Sequence, residues 1–420
     1  MRDIIEAALR GHNADYIDLR IDDGEATRIT YRGRELDDIN RSHTGYGGCV
    51  RALYRGGWGF ASFNDLTGLR AKAEAAVAQA RIAGTGERSQ FAEVEPVVAT
   101  VEPHIGEDPT AVPLAEKKRL LDEYNEIIWG TPQITTSSIR YGDLRRTITF
   151  ANSEGSYIEQ TRIDVTLGLS AMARANGDVR QAGFSKGALN DFAFVRHQHD
   201  DVRATAERAV AFLTAPTAPG GEYTVVLDPV LAGVFVHEAF GHLSEADHIY
   251  EDERLREIMT LGRRFAGKHL NIVDGAAVPG LRGSYAYDDE GTPAGLTDLV
   301  REGVLVGRLH SRETAAKMSE RPTGNARALD YRFPPIVRMT NTFIEPGDMP
   351  FEAMIADIDD GLYVKNWFGG TTSMEMFTFS PARPTASARA RWPSWCGPLC
   401  SPAICSRRWR TSTPWATTST

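Results

Sequence analysis

Apolar and polar positions alternate with a period of two through ADYIDLRIDDGEATRITYRGRELDDI, and Gly-containing turns interrupt the alternation, which predicts antiparallel strands. The preceding MRDIIEAALRGH has helical spacing. GYGGCVRALYRGGWGFAS continues the sheet, and DLTGLRAKAEAAVAQARIA predicts a capped, Ala-rich helix. Residues 84 to about 113 are rich in Pro, Glu and Thr, have no period and read as a connector. A helix at LAEKKRLLDEYNEII then leads into RRTITFANSEGSYIEQTRIDVTLGLSAMARANGDVRQAGFS, which repeats the order strand, turn, strand, turn and again closes on a helix, DDVRATAERAVAFL. The repetition, at a period of about 120 residues, suggests an internal duplication. TAPTAPGGE, ending at Glu222, is a second linker signal.

A different texture follows. The apolar strand YTVVLD ends at Asp228-Pro229, which have the residue types of an N-cap and a first helical position, and VLAGVFVHEAFGH continues as that helix. Beyond it lie Gly-punctuated strands (GSYAYDDEGTPA, GVLVGRLHS, PIVRMTNTFIEPG, GLYVKNWFGG) and one short helix, FEAMIADI. The expected fold is α+β. An N-terminal domain of antiparallel strands with helices covers residues 1–220, and a β-rich C-terminal domain carrying one metal-site helix covers 221–381.

Composition narrows the function classes. A chain of 420 residues with 42% hydrophobic and 25% charged positions is an ordinary globular protein large enough for a sizeable core. No apolar run approaches the roughly 20 residues of a membrane span, and MRDIIEAALRGH lacks a signal-peptide core, so a cytoplasmic protein without membrane contact is expected. A net charge of -9 and the lack of a basic stripe argue against nucleic acid as a partner. Only Cys49 falls within the first 395 residues, which offers no disulfide framework and fits a reducing compartment.

Chemistry concentrates in VHEAFGHLSEAD. A His-Glu-x-x-His helix sets its two imidazoles about 40° apart. Here one more residue separates His237 from His242, and five steps of a regular α-helix turn through about 140°, too far to share one metal ion. The two rings converge only if the helix bulges into a π-turn or stops. Gly241, directly before His242, would relax the backbone for that purpose. His237 and His242 would then supply two ligands, and Glu238 the base that takes a proton from metal-bound water. The competing reading is a core helix with one satisfied histidine and one surface histidine. Phe235, Val236 and Phe240 make the surroundings apolar, where an unpaired Glu238 would be costly. Glu245, Asp247 and His248 are candidates for a third ligand or for partners of the ligands, against a solvated helix exit.

HEAFGHLSEAD, YAYDDEGTPA, RPTGNARA, PPIVRMTNTFIEPG and GLYVKNWFGG occur in that order, preceded by ADYIDLR and GGWGFASFNDL. Over residues 1 to about 381 the chain thereby resembles the TldD/PmbA family of metallopeptidases, in its HExxxH-bearing TldD branch. The resemblance implies a zinc peptidase that cleaves unstructured peptides within a chamber, pairing with a PmbA-type (TldE) subunit as a heterodimer, or forming a homo-oligomer. It implies His237 and His242 as zinc ligands and Glu238 as general base. Asp288, Asp289 and Glu290 match an acidic loop of the family; they read either as a group orienting a substrate amine or backing the ligands, or as a plain solvated turn. Asn325, Arg327, Arg338 and Asn341 fall in family motifs, with loop-stabilising hydrogen bonds as their ordinary role. Two alternatives to the enzyme are a non-catalytic PmbA-like partner subunit, against which HEAFGH stands, and a cytosolic interaction protein without metal.

The family's third ligand is a cysteine in a Gly-rich segment near the C-terminus, and this sequence has no such segment. From Ala382 the remaining 39 residues hold six Arg and no Lys, Asp or Glu, four of the seven Trp and three of the four Cys. Without them the balance is 41 basic against 56 acidic residues, or -15. The spacing of Cys396, Cys400 and Cys405 fits no common zinc pattern. A disordered tail is one account of 382–420, and a shifted reading frame is the one favoured. Restoring one base permits a continuation in which Leu, Val and acidic residues return. Weak zinc binding, impaired activity and an unpaired sheet edge are the expected consequences.

Overall fold

The computed structural model describes residues 1–388 apart from 44–46, 217–220, 222, 357, 359 and 374–375. The linker signal TAPTAPGGE falls largely outside the described residues, as does the segment from 389 onward with its three cysteines.

The fold is α+β. Helix α1 (Arg2–Leu9) precedes strands β1 (Tyr16–Arg32), β2 (Glu35–His43), β3 (Gly47–Tyr54) and β4 (Gly57–Phe63), then α2 (Leu69–Ala83). Strand β5 (Val98–Val101) and α3 (Leu114–Gly130) lead to β6 (Ile134–Asn152), β7 (Tyr157–Ala175), β8 (Asp178–Leu189) and a helix at His199–Ala211. All eight strands join one sheet in the order β4-β3-β1-β6-β7-β5, with β2 on the far part of β1 and β8 on β7. Strands β1 and β6 weld the two meanders along an antiparallel register from Asp18↔Asn152 to Arg32↔Ser138.

The period-two pattern does what it predicts. On β7, Ile163, Val165, Leu167, Leu169, Ala171 and Ala173 all point into one core, where they meet Tyr124 and Ile128 of α3 and Val202 and Ala206 of the following helix. A second core packs Ile5 and Leu9 of α1 and Ala73 and Val77 of α2 against Leu19 and Val50. Small residues on α2 let that helix lie close to the sheet.

The connector is more ordered than its composition suggests. It contributes β5, parallel to β7 through Val98↔Tyr157 to Val101↔Gln160, while the backbone of Ala92 exchanges two hydrogen bonds with Arg312. Four residues, none of them buried, are too short a run to reveal a period.

Past residue 222 the strands are short. β9 (Thr224–Leu227) pairs in parallel with Asp360–Ser373, which pairs with Met376–Ala388. A separate sheet runs Val304–Leu305, Leu296–Arg301, Ile272–Gly275, Thr342–Ile344. Its core gathers Val236, Phe240, Ile249, Leu299, Leu309, Val337 and Met339. Three expectations are corrected here. GSYAYDDEGTPA is not a strand but an irregular loop, because its N–H groups are satisfied partly by the Asn341, Gln160 and Asp288 side chains and partly by scattered backbone carbonyls rather than by a continuous ladder. FEAMIADI is not alone: short helices also occupy Ala246–Glu251, Glu253–Ile258 and Arg312–Met318, each under two turns and so without a readable period. Finally, Arg383–Ala388 runs in a strand paired to Asp360–Lys365, so the change of texture at Ala382 does not end the regular structure there.

Candidate metal centre

The site helix begins as its sequence dictates. The Asp228 carboxylate accepts the Leu231 N–H at 2.8 Å, Pro229 occupies the first turn, and the other carboxylate oxygen accepts the Asn366 N–H at 3.1 Å. The α-helical stretch Pro229–Val236 then widens into a π-turn, His237–Gly241, in which the His242 N–H donates to the His237 carbonyl. A hydrogen bond from residue i+5 to residue i brings the fifth residue back over the first. The His237 and His242 rings accordingly stand 4.8 Å apart between centroids, edge to face at 80°. Glu238, between them in sequence, is buried.

Gly241 has a different reason from the one its position suggests. Its φ of -59° and ψ of -52° are ordinary helical values, so no backbone freedom is being used. A Cβ there would lie 1.9 Å from the Met339 sulfur. Any larger residue would have to displace Met339, which is packed against the π-turn.

Glu245 is no part of a solvated exit; it is only 1% exposed. Its Oε2 lies 3.2 Å from His242 Nδ1 and 3.7 Å from Nε2 of the exposed His248, and its Oε1 accepts the Met339 N–H at 3.4 Å beside Arg338 Nε at 3.7 Å. A carboxylate only accepts, so Nδ1 of His242 carries a proton, and the tautomer that leaves Nε2 as the donor atom is the one this contact selects. This is how a partner of a ligating histidine fixes tautomer and ring direction. Asp247 is committed elsewhere, accepting the Val337 N–H at 2.6 Å, and burial raises its pKa. The half-buried His237 is held below the usual histidine range by burial and by neighbouring His242, which favours the neutral, ligating imidazole.

A cavity of about 640 Å³ opens beside His237 and Glu238, walled by the site helix, Leu281, Trp367 and the segment Thr340–Phe343. The acidic loop is not there. Asp288, Asp289 and Glu290 are neither a solvated turn nor free to meet a substrate amine: all three lie inside the protein. Asp288 accepts the N–H groups of Glu290, Thr292 and Ala326. Asp289 pairs with Arg20 at 3.1 Å and accepts the Ala328 N–H at 2.7 Å. Glu290 pairs with Arg51 at 3.1 Å and accepts the Arg312 N–H at 2.8 Å. Burial, with Glu290 beside it, pushes the Asp288 carboxyl up, whereas Arg20 holds Asp289 down against the cost of burial. The loop therefore bolts the C-terminal part onto β1 and β3.

The sequence pattern hid the receiving end of that bolt. Asp18, Arg20 and Asp22 alternate with Ile17, Leu19 and Ile21 and read as a solvent face, yet all three are buried under the loop. A close run of charges on a strand otherwise flanked by apolar residues was the available signal. Asn325, Arg327, Arg338 and Asn341 follow their ordinary reading: Asn325 donates to Asp274 at 2.9 Å and the Arg338 carbonyl at 3.0 Å, Arg327 to the Met339 carbonyl at 2.8 Å, and Asn341 to the Gly275 carbonyl at 2.8 Å.

As a donor set, the centre offers the His237 imidazole and the Glu238 carboxylate at the cavity, with the His242 ring 4.8 Å from that of His237. Among the described residues no group of three His, Cys, Asp or Glu side chains is arranged to hold a metal ion. Zinc sites take three or four protein donors, so His237 and His242 fit as the helical half of one.

An α+β chain with a histidine–glutamate helix at the edge of a cavity has the form of a metallopeptidase. Three sequence models of one family match it in succession: PmbA/TldA metallopeptidase domain 1 over residues 17–80, the central domain over 107–215 and the C-terminal domain over 220–383. The chain belongs to the PmbA/TldA metallopeptidase family. The last match ends at residue 383, beside the change of texture at Ala382. A metalloprotease of Synechocystis is 47% identical over 369 residues, which are 87% of this chain and 79% of that one. A protein of Saccharolobus solfataricus named zinc metalloprotease TldD homolog is 31% identical over 246 residues, covering 58% of this chain and 54% of its own length. TldE from Thermococcus kodakarensis has the same fold, with a TM-score of 0.73 at 15% identity over 94% of this chain and 88% of that one.

Proposed function

We propose that this chain is a zinc-dependent peptidase of the TldD type, cleaving unstructured peptides, with His237 and His242 as two of the metal ligands and Glu238 as general base. The observation that carries the reading is the π-turn, which brings the His237 and His242 rings to 4.8 Å while His237 and Glu238 face one cavity. The name of the Saccharolobus relative supports zinc as the metal. Bound zinc would lower the pKa of a water molecule and polarise the scissile carbonyl. Glu238 takes the proton of the attacking water at a carboxylate oxygen and delivers it to the departing amine. Glu245 keeps the His242 proton on Nδ1 and so keeps Nε2 available.

With His237 and His242 as its histidine donors among the described residues, this chain holds zinc weakly and turns over slowly. The chain works as two units meeting near residue 220, pairs with a TldE-like subunit or with itself, and acts in the cytoplasm; among the described residues no helix is long and apolar enough to cross a membrane. The test is metal analysis together with hydrolysis of an unfolded protein such as casein, for the parent, His237→Ala and Glu238→Gln. Zinc in the parent that disappears in His237→Ala, with cleavage lost in both variants, supports the reading. A parent that holds no metal under zinc saturation would sink it.

A further inference from the structure

We propose that Arg162 of β7 and Arg327, where the large sheet meets the C-terminal part, hold one phosphate group, either free phosphate or that of a small phosphate ester. Neither zinc nor peptide hydrolysis enters into this site. The odd-numbered residues of β7 from Ile163 to Ala173 enter the core, so Arg162 lies on the other face of the sheet. The register sets Arg146 of β6 directly opposite it, an arrangement in which like charges repel. The C-terminal part closes over the same spot. Arg162 Nη2 donates to the Arg282 carbonyl at 3.1 Å, its guanidinium carbon stands 5.8 Å from the centre of the Tyr285 ring, and its Nε is enclosed without a hydrogen bond.

The neighbouring cations are matched to carboxylates one by one. Arg146 pairs with Asp22 at 2.6 Å, Arg282 with Asp164 at 2.7 Å, Arg20 with Asp289 at 3.1 Å and Arg332 with Asp330 at 2.6 Å. Asp164, only two residues from Arg162, spends both oxygens on Arg282. Among the described residues Arg162 and Arg327 are left without an ion pair, and Arg327 turns its Nη1 to the Met339 carbonyl. Burial lowers the Arg162 pKa and Asp164 opposes this, while Arg327 and Arg146 lower it further.

A guanidinium stays charged at any physiological pH, so this partly enclosed pair carries a standing cost that an incoming anion removes. Two neighbouring guanidiniums call for two negative charges, and a phosphate ester brings about −1.5 to −2 at pH 7 where a carboxylate brings one. Its oxygens also suit the planar fork of arginine N–H donors. Phosphate bound here ties β7 to the segment that packs on the π-turn, since Arg327 holds the Met339 carbonyl.

The experiment titrates the full chain, freed of zinc by a chelator and held at constant ionic strength in chloride, with inorganic phosphate and with phenyl phosphate in a calorimeter. Saturable binding is expected in the parent, about tenfold or more weaker in Arg162→Met and in Arg327→Met. Arg28, exposed on the same face of the sheet, is the control, and Arg28→Met should bind as the parent does. Phosphate should raise the melting temperature of the parent but not of Arg162→Met. Without phosphate, Arg162→Met should melt no lower than the parent, because the substitution removes an unmatched cation. Tighter binding of phenyl phosphate points to an ester as the natural ligand and tighter binding of inorganic phosphate to the free anion; either upholds the site. No saturable binding of either probe, or binding that survives both Arg162→Met and Arg327→Met, overturns it.

Discussion

His242 Nδ1 lies 3.2 Å from Oε2 of Glu245, three residues further on, and that carboxylate is almost wholly enclosed. The pair makes the ring direction of His242 a property of the folded backbone, set before any ligand arrives. Glu245→Gln should keep the packing but lose the obligate acceptor, so either tautomer of His242 becomes available. We expect zinc affinity to fall about 10- to 100-fold with little change in melting temperature, read by competition with a chromogenic chelator. Unchanged affinity would mean that Glu245 is only a packing residue.

Gly241→Ala should destabilise the protein by about 1–3 kcal/mol, because the new methyl meets the Met339 sulfur. Chemical denaturation of Gly241→Ala, Met339→Ala and the double variant checks the cause. If the clash is real, the two losses are less than additive, since the shortened Met339 side chain makes room for the methyl. Full additivity would place the damage elsewhere.

Arg51 pairs with Asp18 at 2.5 Å and with Glu290 at 3.1 Å, all three side chains being enclosed. Arg51→Met leaves two buried carboxylates without their cation and should cost about 3–5 kcal/mol. Replacing Glu290 by Gln in the same chain should recover part of the loss. Urea unfolding of the single and double variants measures both, and a loss below about 1 kcal/mol in Arg51→Met would show the pair to be solvated.

Cys49 is buried, and burial pushes its thiol up to about 11. In the native protein at neutral pH it should resist a maleimide, reacting only after denaturation. Peptide mapping of the labelled chain reads this directly; rapid native modification of Cys49 would mean that the β1–β3 region opens readily.

Long strands and their faces were legible because a period of two persists over many residues, as from Ile163 to Ala173. The helix start at Asp228-Pro229 was legible from residue type alone, and so was the need for a departure from α geometry between His237 and His242. The cause at Gly241 was not, since Met339 is far away in sequence and nothing local announces it. The acidic loop misled for the same reason. Three consecutive carboxylates look solvated until Arg20 and Arg51, more than two hundred residues earlier, close over them. Local patterns report on backbone and face; partners at long range leave no trace in them.

The extra residue in HEAFGH also acts as a phase shift. One α-helical step is about 100°, so everything beyond Gly241 leaves the helix rotated by that amount relative to an uninterrupted one. A 3₁₀ turn at His242–Ser244 and an extended Glu245 follow, and this exit seats Glu245 against the Met339 N–H and Asp247 against the Val337 N–H. Deleting a residue to restore the commoner His-Glu-x-x-His spacing would align two imidazoles on a regular helix, yet turn the following chain away from its seats. The spacing is thus a gear setting for the whole segment, and its two histidines cannot be re-indexed without re-indexing what they are mounted on.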